Sequence, residues 1–100
     1  MIQRPVWKMT VILPYKKFDA QADDTEFARA KMLPPWIDKL AERINTSKMF
    51  MMHEKVDAEF RLGDAKEHIE EGIDTKDFDL VNEGLDIIYD VGDELRIWIG

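Results

Sequence analysis

No cysteine occurs in the 100 residues, which excludes disulfides, thiolate nucleophiles and cysteine-ligated zinc. Ser47 is the single serine and no Gly-x-Ser-x-Gly turn is present, so the usual acyl-transfer hydrolases, which need an activated nucleophile beside a base, are excluded as well. Gly63, Gly72, Gly84, Gly92 and Gly100 are too scattered to build a phosphate-cradling loop. The longest apolar runs, around Met9 to Leu13 and Ile97 to Ile99, fall far short of the roughly 20 residues that cross a bilayer. Arg4, Pro5 and Lys8 interrupt the first apolar stretch and no small-residue cleavage site follows, so a secretory signal is not expected. These absences together suggest a cytoplasmic protein.

What is present is enough for one core. With 45% hydrophobic residues and ten aromatics the chain should fold, and its length suits a single α+β domain over residues 1–100. Charge is divided unevenly. Residues 1–50 carry nine Lys and Arg against six Asp and Glu, net +3; residues 51–100 carry five against fifteen, net −10. Between Asp64 and Glu94 there are twelve acids and only Lys66 and Lys76. Such a segment repels nucleic acid and anionic lipid and attracts basic partners.

Val6 to Leu13 alternates as a strand, with Trp7, Met9, Val11 and Leu13 on one face. A loop over Lys16 to Ala22 precedes a helix from about Glu26, with Asp23, Asp24 and Thr25 available as caps. Leu33-Pro34-Pro35 breaks that helix, and Trp36, Ile37, Leu40, Ala41 and Ile44 continue as a second apolar stripe. Val56, Ala58, Phe60 and Leu62 then alternate with Asp57, Glu59 and Arg61, which predicts a strand. In that case His53-Glu54-Lys55 turns a hairpin, Gly63-Asp64 ends it, and a short helix runs to about Glu71 before Gly72 and Asp74 interrupt. Thr75 to Asp90 is the clearest helix: Phe78, Val81, Leu85 and Ile88 lie on one side, with Gly92 as its C-terminal cap. Leu95, Ile97 and Ile99 alternate with Arg96 and Trp98 and close the chain as a strand.

The order β-α-β-β-α-β predicts a ferredoxin-like fold, a four-stranded antiparallel sheet with helices on one face. Met52, Val56 and Phe60 also fit one face of a helix. If residues 53–62 are helical, the hairpin disappears and a mostly helical chain with two terminal strands replaces it.

Candidate sites are few. Asp64, His68 and Glu71 fall at i, i+4 and i+7, a weak candidate for a divalent metal, although acidic helices acquire that spacing easily. No cofactor is expected. Met49, Met51 and Met52 are read as core filling in preference to an adaptable binding surface, and Trp7 and Trp98 as a packed pair on neighbouring strands. The strongest pattern is a ridge of Asp79, Glu83, Asp86, Asp90 and Asp93, spaced by three or four residues without the Lys or Arg partners that would normally offset like-charge repulsion. Duplex DNA carries one charge per roughly 1.7 Å, about three times the density of one such ridge, so a second row from Asp64, Glu67, Glu71 and Asp74 is needed for mimicry.

The expected function is therefore that of a small non-enzymatic interaction protein. Its carboxylates would dock on a basic surface of a partner protein, a nucleic-acid-binding groove being one such surface, and inhibit or regulate it. In style this is similar to the small acidic inhibitors carried by phages and mobile elements, without matching the residues of any one family. Two alternatives stand beside it: a structural or regulatory subunit that self-associates as a homo-oligomer, and a metal-dependent enzyme using Asp64, His68 and Glu71.

Overall fold

A computed structural model describes residues 7–14 and 24–100. In chain order they form β1 (Met9–Val11), α1 (Asp24–Ala30), α2 (Leu33–Thr46), α3 (Met52–Thr75), α4 (Phe78–Leu95) and β2 (Ile97–Ile99). The ferredoxin-like, four-stranded antiparallel arrangement is overturned. Of the described residues 74% are helical, and the strands among them are two short parallel pieces. The mostly helical alternative with two terminal strands is the one that fits. The predicted strand start at Val6, the loop over Lys16 to Ala22 and the cap at Asp23 lie outside the described residues.

The correction turns on residues 52–75. A strand would put Val56, Ala58, Phe60 and Leu62 on one face, but α3 divides them: Ala58 and Leu62 are buried while Val56 and Phe60 are exposed. The governing pattern is Ala58, Leu62, Ala65, Ile69 and Gly72, alternating steps of four and three that keep one stripe against the core. His53-Glu54-Lys55, read as a hairpin turn, is the first turn of this helix. The Glu54 carboxylate accepts the Met51 N–H at 2.9 Å, satisfying an amide donor at the helix start. Gly63 and Gly72, read as breaks, lie inside α3. The helix ends at Lys76, which is left-handed (φ 56°, ψ 39°), and the Asp77 N–H donates to the Gly72 carbonyl at 2.8 Å.

Asp77 then caps α4, its carboxylate accepting the Asp79 N–H at 3.0 Å. Val81, Leu85, Ile88, Val91 and Leu95 are buried, as the apolar periodicity requires. Gly92 does not cap the helix; it is buried in the last turn, and Arg96 ends α4 with φ 58°. The two helices run antiparallel and approach closely. A Cβ added to Gly84 would lie 2.5 Å from Ile69 Cγ1 and 2.8 Å from the Ala65 carbonyl oxygen, so only glycine fits this crossing.

On the other side of α3 packs α2, with Pro34 and Pro35 in its first turn and Leu33, Ile37, Leu40 and Ile44 buried. Lys66 of α3 donates to both oxygens of Asp38 of α2 at 3.0 Å. α3 is thus the middle helix. The strands close the molecule in register Met9 to Ile97, Thr10 to Trp98 and Val11 to Ile99. Val11, Leu13 and Ile97 join the helices in one core cluster. The Trp36 indole donates to the Ile12 carbonyl at 2.9 Å and fixes the exit of β1 on α2. Trp7, two residues before β1, and Trp98 of β2 meet edge to face with centroids 5.3 Å apart, so the two aromatics do pack together.

Candidate functional site

On α4, the buried residues occupy one side and Asp79, Glu83, Asp86, Asp90 and Asp93 are all exposed on the opposite side. On α3, Asp64, Glu67, Glu71 and Asp74 are likewise exposed, opposite the stripe that faces the core. The predicted second row therefore lies on the helix next to the first, although it belongs to a long helix and not to a short one. Nine carboxylates over an axial length of about 21 Å give one charge per about 2.3 Å, close to the spacing along duplex DNA.

Cations interrupt this face along the seam between the helices. The Arg61 guanidinium pairs with Glu94 and lies 4.0 Å from Asp90 and 3.9 Å from Asp57. His68 stands further along the seam. Its Nδ1 is 2.8 Å from the Asp64 carbonyl oxygen and 3.5 Å from the Asp64 carboxylate, and its Nε2 is 3.9 Å from Glu83. The hydrogen bond to the Asp64 carbonyl raises the proton affinity of His68; partial burial opposes this, and the charges of Asp64, Glu83 and Glu71 add to it. Lys76 is exposed at the turn joining the two rows. The outward side of α4 itself carries no lysine or arginine.

The candidate metal triad is not assembled. Among the described residues no group of three or more His, Asp or Glu side chains is placed to hold a metal ion; the nearest carboxylates to His68 are those of Asp64 and, across the seam, Glu83. Likewise, no described helix is long and apolar enough to cross a membrane.

A second surface was misassigned from sequence. Met49, Met51 and Met52, read as core, are 58%, 65% and 74% exposed. Met51 and Met52 join Val56 (59%) and Phe60 (80%) in an open apolar depression at the start of α3, also lined by His53 and Asp57. The signal was available: Met52, Val56 and Phe60 recur at i, i+4 and i+8, on a different side of α3 from Ala58, Leu62 and Ala65.

No protein-family model, no characterised protein and no solved structure matches this chain.

Proposed function

We propose that this protein is a non-enzymatic interaction module whose carboxylate-rich α3–α4 face docks on a basic surface of a partner protein and thereby inhibits or regulates it. The observation that carries the reading is the exposure of all nine carboxylates on the outward sides of two adjacent helices. Like charges at helical spacing cost stability, and a face serving only solubility would gain by mixing in lysine and arginine. The charge spacing makes a partner groove that otherwise holds nucleic acid a suitable target. The cytoplasm is the compartment proposed, since the sequence has no cysteine to be oxidised elsewhere.

Capture of partners from native lysate on the immobilised protein, at low and at high salt, tests this directly. Binding should fall steeply with salt and be lost in the Asp79→Lys/Glu83→Lys/Asp86→Lys variant while its circular dichroism stays native. Capture that is insensitive to both salt and charge reversal removes the proposal.

A further inference from the structure

We infer that the outward side of α3 is a composite docking strip for one kind of ligand: an amphipathic basic segment of the partner, apolar at one end and rich in lysine or arginine at the other. This rests on the acidic-face reading and extends it by an apolar anchor site. Along α3 the exposed side changes character at Gly63. Before it Met52, Val56 and Phe60 form an apolar stripe flanked by the exposed His53, Asp57 and Glu59; after it stand Asp64, Glu67, Glu71 and Asp74. At Gly63 itself, a Cβ would meet no atom within 4 Å, so no side chain stands between the two halves. The apolar half spans about 12 Å, the acidic half about 15 Å and the gap around Gly63 about 6 Å, a length matched by a ligand helix of about 22 residues.

Charge complementarity selects the occupant. A second copy laid antiparallel in full overlap on α3 would set its acidic half against Met52, Val56 and Phe60; centred on Val56 it would match only the apolar halves, bring two chains of net charge −7 together and leave both acidic halves unanswered. Laid parallel, it would bring carboxylates against carboxylates, with a net charge of −7 on each chain. An anionic lipid surface is repelled by the same residues. A basic amphipathic segment satisfies both halves, with apolar anchors four residues apart seated on the flexible methionines and Phe60, and cations over Glu67, Glu71 and Asp74.

Three synthetic peptides of about 22 residues test the inference by fluorescence anisotropy against the full chain. One has leucines at i, i+4 and i+8 in one half and lysines in the other; the second has the same composition scrambled; the third replaces the leucines by glutamine. The block peptide should bind most tightly, and scrambling, leucine removal or the Phe60→Ser substitution should each weaken it by about tenfold or more. Val56→Ser serves as an independent variant, both residues being exposed enough for the fold to tolerate the change. If all three peptides bind equally, in a salt-dependent way, and Phe60→Ser changes nothing, the apolar anchor site is refuted while the acidic face survives. If none binds at low salt, both readings fail. If Phe60→Ser instead converts a dimer to a monomer in light scattering and leaves peptide affinity unchanged, the occupant is a second copy and the inference is overturned.

Discussion

Replacing Leu62 and Phe60 one at a time by alanine distinguishes the helix from the strand that the same residues suggest. On a strand the two would share a face and cost similar amounts when truncated. On α3, Leu62 is fully buried in the core between α2 and α4, whereas Phe60 is 80% exposed. Leu62→Ala should cost about 2–5 kcal/mol, from lost transfer energy and the cavity left behind. Phe60→Ala loses only the fifth of the side chain that is covered, on the order of 0.5 kcal/mol at about 2–3 kcal/mol for full burial. In a domain of this size 1 kcal/mol moves Tm by roughly 4–8 °C, so the first variant should melt at least about 8 °C lower and the second within a few degrees of the parent. Thermal unfolding followed at 222 nm, with urea titration to check that the m-value is unchanged, reads both. Equal losses in the two variants would refute the division of α3 into a buried and an exposed apolar side.

Gly84→Ala should destabilise by about 1–3 kcal/mol, because the added methyl meets the Ala65 backbone carbonyl, which cannot swing aside as a flexible side chain would; an unchanged urea midpoint would contradict the close α3–α4 crossing. His68 has a folded-state pKa raised above its ordinary value of 6.5, so its stabilising contribution is present at pH below about 6.5 and fades as pH rises through the folded value. Its imidazole titration, followed by NMR, should move to lower pH in Asp64→Asn and in Glu83→Gln, and a curve that stays in place would show that neither carboxylate faces it.

How much of this was legible in the sequence differs by element. α4 and its carboxylate ridge could be read directly, because Val81, Leu85 and Ile88 recur at 3.6-residue spacing with acids opposite and no competing period. An interruption near the two prolines also came through, although it falls at Lys31 and Met32 while Leu33, Pro34 and Pro35 open α2, and so did the packing of Trp7 against Trp98. α3 did not, because its exposed apolar residues Val56 and Phe60 interleave with buried Ala58 and Leu62 to imitate a period of two. The longer pattern through Ala65, Ile69 and Gly72 decides the matter, but it passes through Gly63, which reads as a stop. There the glycine is only an exposed helical residue, a cost of about 1 kcal/mol that the packing of α3 between two helices overrides. The shared helical face of Met52, Val56 and Phe60 was visible in the spacing, but the reading of Met49, Met51 and Met52 as core hid its exposure.

The pairing of β1 with β2 joins residues separated by all four helices. Leu13 donates to the Gly100 carbonyl and Gly100 to that of Val11, so the hydrogen bonding continues one residue past Ile99. Because the pairing is this short, a proline in place of Trp98, which removes a ladder donor, would loosen β1 from its neighbour and with it the cover over Val11 and Leu13.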